Sequence, residues 1–166
     1  MPKTESFDIS TGADLQEVDN AVNQARKEIT NRFDFKNVLA EIEYDRSKPK
    51  LTIHTTDEFK LDAIWTVLTQ RLHARHVPLK NLKPGNVEKA AGSTVRQEIP
   101  ITQSIDSDTA RKIVKFLKES KYKKVQTQIQ GDEVRVSAPS RDELQGVIRD
   151  LKAEDWGIDL KFGNYR

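Results

Sequence analysis

KVQTQIQGDEVRVSA, residues 124–138, is the stretch that decides the fold. Val125, Thr127 and Ile129 alternate with Lys124, Gln126, Gln128 and Gln130, the period of two that marks a strand with one face on a core and the other in water. Gly131-Asp132 supplies a tight turn. Val134 and Val136 then continue the buried face opposite Glu133, Arg135 and Ser137. The segment reads as a hairpin.

Downstream, Ser140-x-x-Glu143 has capping-box spacing and opens a helix with Leu144, Val147, Ile148 and Leu151 on one side. Ile158, Leu160 and Phe162 close the chain as a final strand. Upstream, Asp106 or Ser107 caps a helix that carries Ala110, Ile113, Val114 and Leu117, with Arg111, Lys112, Lys115 and Lys118 over much of the remainder. Before it, Val95, Ile99 and Ile101 alternate as a strand that Pro100 confines to an edge or an end.

The same order occurs earlier in the chain. Phe7 and Ile9 form a short strand, and Leu15, Val18, Val22, Ala25 and Ile29 a helical stripe. Val38, Ala40, Ile42 and Tyr44 alternate, and Leu51 and Ile53 follow after a turn. Thr55-Thr56-Asp57-Glu58 reads as a capping box, with Asp57-Glu58-Phe59 matched to Asp142-Glu143-Leu144. The helix after it carries Leu61, Ile64, Trp65, Leu68 and Leu72, and VPLKNL at 77–82 reads as a short strand. Residues 83–94, with two glycines and a proline, read as a linker.

Residues 38–82 thus repeat as 125–162, with Val38 and Ile42 matched to Val125 and Ile129. Each half reads β-α-β-β-α-β, so the expected fold is α+β with two ferredoxin-like domains. Each has a four-stranded antiparallel sheet, two helices on one face and the other face open.

Composition narrows the chemistry. The chain has no cysteine, which removes disulfides, thiolate metal sites and cysteine nucleophiles together. No run of apolar residues is long enough to span a bilayer, and the N-terminus lacks a signal-peptide core. A cytoplasmic protein with no membrane association is expected. The net charge of +2 is uneven: residues 1–45 hold ten acidic against five basic side chains, and residues 111–135 hold eight basic against three acidic. A basic cluster suits an anionic partner or is simply a solvated helix face.

His73 and His76 have no third ligand at metal-site spacing, and no phosphate loop or nucleophile elbow is present. No catalytic constellation, metal or cofactor is therefore expected, and the chain reads as a binding protein. The candidate contacts are Lys124, Gln126, Gln128, Gln130 and Arg135, with Arg141 nearby. Glutamine matches base edges, while lysine and arginine match phosphates. A solvated outer sheet face is the competing reading of the same residues.

SFDIS at 6–10, RFDFK at 32–36, KVQTQIQGDEVRVSAPSRDELQ at 124–145 and the terminal KFGNYR resemble the bacterial YajQ family of nucleotide-binding proteins, over essentially the whole chain. The resemblance implies two ferredoxin-like domains that exchange their first strands. The first would then be residues 11–102, taking the strand near Ile99 after the linker 83–94, and the second residues 1–10 with 103–166. It also implies a nucleotide ligand (cyclic di-GMP, GTP or ATP), a partner such as a transcription regulator, and no enzymatic activity. Arg32 and Phe33 in the RFDF segment become further candidate contacts, though Phe33 and Phe35 are read first as anchors of the helix end in the core.

Two alternatives compete with a nucleotide receptor. One is RNA or single-stranded DNA binding on the open sheet faces, against which stands the lack of aromatic residues at 125–129 and 134–136. The other is a protein-interaction adaptor with no nucleotide ligand.

Overall fold

The structure is a computed structural model and describes residues 4–166. Residues 1–3, which the sequence reading groups with the first strand, lie outside the described residues. In chain order the elements are β1 (Glu5–Ser10), α1 (Leu15–Thr30), β2 (Ala40–Asp45), β3 (Lys50–Thr55), α2 (Glu58–Ala74), β4 (Glu88–Ala90), β5 (Thr94–Pro100), α3 (Ser107–Lys118), β6 (Gln126–Gln130), β7 (Glu133–Ala138), α4 (Arg141–Lys152) and β8 (Lys161–Gly163). Short 3-10 turns occupy Phe33–Phe35, Leu79–Asn81 and Ala91–Ser93.

Two four-stranded antiparallel sheets result, in the orders β6-β7-β1-β8 and β2-β3-β5-β4. The chain divides into a continuous unit, Ala13–Thr102, and an interrupted unit that joins the strand before Gly12 to Gln103–Arg166. β1 is therefore central in the sheet built by the end of the chain, and β5 is central in the sheet built before it.

In the interrupted unit, Phe7 faces Val136 and Ile9 faces both Val134 and Phe162. Their side chains meet Ile113, Leu117, Val147 and Leu151 of the two helices in one core. Residues of opposite parity point away from the helices. In the continuous unit, Ile42 faces Ile53 and Leu51 faces Ile99, in one core with Val18, Val22, Ile64 and Leu68. Its outer face carries the rung Glu41, His54, Arg96 and Glu88 beside Glu43, Thr52 and Glu98.

Several local readings change. VPLKNL is not a strand: Pro78 has no N–H to give a ladder, and Asn81 is fully buried, with its Nδ2 donating to the Thr102 carbonyl at 2.9 Å. The fourth strand lies within the expected linker. Residues 83–90 run beside β5, with Lys83 N donating to Pro100 O at 2.9 Å and Gly85 N to Glu98 O at 2.8 Å. The turn back into β5 uses Gly92 at φ +72°, a left-handed conformation that costs glycine little.

Thr55 is not a helix cap. It is buried, with its hydroxyl donating to Leu39 O at 2.6 Å, and Asp57 caps α2 by accepting from Lys60 N at 2.8 Å. Counting from the caps Asp57 and Ser140 then matches Leu61, not Phe59, with Leu144; both are buried, whereas Phe59 is 79% exposed. The last strand is also shorter than Ile158–Phe162, because Ile158 is buried outside it. Gly131 of the β6–β7 turn has φ +59°, as a two-residue hairpin loop requires.

Candidate functional site

Gln126, Gln128 and Gln130 occupy one face of β6, turned away from the helices, opposite Ser137, Arg135 and Glu133 of β7. Lys124 is exposed just before this row. The expected surface row is thus present, but Arg135 is engaged within the protein. Its Nε donates to Asp8 Oδ1 at 2.9 Å, and Asn164 Nδ2 donates to Asp8 Oδ2 at 2.6 Å.

Asp8 is only 7% exposed, on the central strand. The Arg135 hydrogen bond holds its carboxyl below the usual range against the opposing effect of burial, with Asn164 and the Arg166 charge assisting. In return, Asp8 raises Arg135. The Gln128–Arg135–Asp8 rung is a cross-strand cluster in which an internal carboxylate already occupies the guanidinium.

Arg141 does not join the glutamine row. As the first residue of α4, it lines a groove of about 280 Å³ together with Glu5, Ser6, Gln145, Tyr165 and Arg166, over Leu144 and Ile148. Reciprocal bonds between the backbones of Ser6 and Arg166, at 3.1 and 3.0 Å, fix the tail there. Tyr165 is 63% exposed and leans on Phe7, with ring centroids 6.2 Å apart. Leu144 and Ile148 are buried, so the groove offers two guanidiniums, a carboxylate and an aromatic ring above an aliphatic floor.

Arg32 and Phe33 belong to the continuous unit. Arg32 grips Asp34 with two nitrogens, at 2.9 and 2.8 Å. This hydrogen-bonded pairing raises the guanidinium's pKa and lowers the carboxyl's. Phe35 is the core anchor, 6% exposed, with Arg32 5.5 Å and Lys60 4.9 Å from its ring centre. Phe33 is no anchor: it is 89% exposed, because the 3-10 turn over Phe33–Phe35 points its first and third residues in different directions.

Tyr165, Arg166 and Gln145 escaped the sequence reading. The signal for them was an aromatic residue and a basic residue side by side beyond the last strand, visible in KFGNYR. His54 contacts Thr94 Oγ1 at 2.8 Å and Glu41 Oε2 at 3.7 Å. Among the described residues no cluster of His, Asp and Glu is arranged to hold a metal, and no helix is long and apolar enough to cross a membrane.

Residues 5–166 match the family described as nucleotide-binding protein YajQ-like. A nucleotide-binding protein of Koribacter versatilis is 50% identical over 161 residues, 97% of this chain and 96% of that one. Nucleotide-binding proteins of Bacillus cereus and Bacillus anthracis are each 49% identical over 166 residues, the full length of both chains. With the RFDF, KVQTQIQG and KFGNYR segments carried on this duplicated fold, the chain belongs to the YajQ-like family of nucleotide-binding proteins.

Proposed function

We propose that the chain is a non-catalytic nucleotide receptor whose ligand lies in the groove between α4 and the C-terminal tail. One observation carries the reading: Arg141 and Arg166 flank an exposed Tyr165 over the aliphatic floor of Leu144 and Ile148. A nucleotide needs a planar surface for its base and guanidiniums for its phosphates, and this lining offers both.

GTP, ATP and cyclic di-GMP each present a base for the ring of Tyr165 and phosphates for the two guanidiniums. A groove of about 280 Å³ is at the small end for ligand sites. It suits one nucleotide moiety, and the second half of a cyclic dinucleotide would extend beyond it. Ligand bound against Tyr165 and Arg166 would favour one arrangement of the tail, which a partner such as a transcription regulator could read.

The open sheet faces suit RNA less well. The glutamine row has no aromatic neighbour on its rungs. The outer face of the continuous unit carries Glu41, Glu43, Glu88 and Glu98, which repel a phosphate backbone.

Calorimetric titration with GTP, ATP and cyclic di-GMP tests the reading. Arg141→Ala and Tyr165→Ala should each weaken binding at least about tenfold, the scale of one lost charged hydrogen bond or stacking contact, while Gln128→Ala leaves it unchanged. Binding lost in Gln128→Ala and retained in Arg141→Ala would move the site to the open face of β6.

A further inference from the structure

The two edges that the duplication makes equivalent are treated differently. In the continuous unit, β2 is an edge strand, and Arg26 of α1 turns onto it. Its Nε donates to Ile42 O at 3.0 Å and its terminal nitrogen donates to the same oxygen. That guanidinium occupies an outward-facing carbonyl, and Ile42 is 4% exposed.

In the interrupted unit, β6 is the corresponding edge, and Ile129 stands in the place of Ile42. Counting from the caps Asp14 and Asp106 puts Lys118 in the place of Arg26. Lys118 makes no hydrogen bond to β6, and Ile129 is 44% exposed.

The hairpin determines which backbone groups are left. A two-residue turn makes Gln130 and Glu133 a hydrogen-bonded closing pair, and such pairs then alternate along the ladder. Gln128 with Arg135 and Gln126 with Ser137 are bonded within the hairpin. Thr127 and Ile129 therefore direct their N–H and C=O outward, where no described strand of the unit receives them.

The flank beside this edge is basic. α3 packs on β6 and β7, and Phe116 turns to Trp156 at 5.4 Å on the other side of the helix. The helical repeat of about 100° per residue then sets Arg111, Val114 and Lys118 on the side of the β6 edge. Lys121, Lys123 and Lys124 are exposed in the connection to β6. The nearby acids are Asp108, paired with Arg111 at 2.9 Å, Glu119, and Asp132 with Glu133 at the hairpin tip.

We propose that the β6 edge docks an extended, acidic segment of a partner protein, which adds a fifth strand to the sheet through Thr127 and Ile129. Backbone bonds supply the pairing, and the lysines of the flank select acidic side chains on the added strand. A second copy of this chain is the poorer occupant, because two-fold pairing of β6 with itself would set the basic flanks of two α3 helices against each other. The proposal does not depend on the nucleotide site, which lies at α4 and the tail.

Thr127→Pro separates the proposal from its rivals. Proline removes only an outward N–H at this position, so the β6–β7 ladder is left intact. The probe is a short capped peptide alternating Glu and Val, titrated into the full-length protein and followed by amide hydrogen exchange. The expected result is slowed exchange at Thr127 and Ile129, with affinity at least about tenfold lower in Thr127→Pro and for the corresponding Lys–Val peptide.

Lys118→Glu with Lys124→Glu should weaken the same binding and leave the fold unaltered, whatever the proline does to stability. Unchanged exchange at both amides, or equal binding by a folded Thr127→Pro, overturns the proposal. Concentration-dependent self-association that Thr127→Pro abolishes also overturns it, in favour of a second copy. Salt-sensitive binding of an oligonucleotide that leaves both amides unprotected overturns it in favour of nucleic acid.

Discussion

Asp8 shows how a polar residue sits on a central strand without weakening it. Its carboxylate is covered by Arg135 and Asn164, side chains far from it in the chain, so the charged form is the one the fold stabilises. A carboxyl whose folded pKa lies below the unfolded value adds stability above the ordinary carboxylate range, and that contribution disappears as pH falls through the lowered value. Urea midpoints of wild type and Asp8→Asn should therefore differ most near neutral pH and converge as pH falls below the ordinary carboxylate range and through the lowered Asp8 value. An equal gap at both ends would mean that the ionised form is not what matters. The sequence displayed Arg135 in an alternating row but not Asp8 as its partner, because cross-strand register is a long-range property. For the same reason Arg141 looked close to the glutamines, three residues past the strand, when the helix start carries it to the groove with Tyr165.

At the scale of elements, the segments with strong apolar periodicity were legible and those held by backbone bonds alone were not. The hairpin at 126–138 and all four helices carry their buried faces in their spacing. Glu88–Ala90 has no buried side chain to announce it. It is a strand because β5 lies alongside with unpaired groups of its own. Conversely, the valine and leucines of VPLKNL are apolar because they cover the core end, where Val77 and Leu82 are buried without pairing in a ladder. The cap of α2 separates the two readings of that helix experimentally. Asp57→Ala should cost about 1 kcal/mol in urea unfolding. Were Thr55 the cap, that substitution would be close to neutral.

For the whole molecule, the decisive fact is that the interrupted unit takes its central strand from the other end of the chain. Phe7 and Ile9 are fully buried, between Val134, Val136 and Phe162. A fragment of residues 13–102 contains every strand and helix of its own sheet and should unfold cooperatively by itself. Residues 103–166 should remain unfolded alone and gain circular dichroism when a peptide of residues 4–12 is added. Independent folding of residues 103–166 would show that β1 is dispensable to that core. The duplication was visible in sequence because both halves repeat one pattern, whereas the partner of each first strand entered only through the family resemblance, since either sheet would accept an alternating strand of this kind.

The position of β1 also imposes an order on synthesis. The strand leaves the ribosome first, yet its neighbours β7 and β8 follow only after about 130 to 150 further residues. At roughly 5–20 residues per second, Phe7 and Ile9 wait about 7–30 s as an unpaired apolar strand while the continuous unit completes its own sheet. During that interval the nascent chain depends on Asp8, Glu5 and their charged neighbours to keep the strand in solution, the same acidic residues that the finished fold later places next to Arg135 and Arg166.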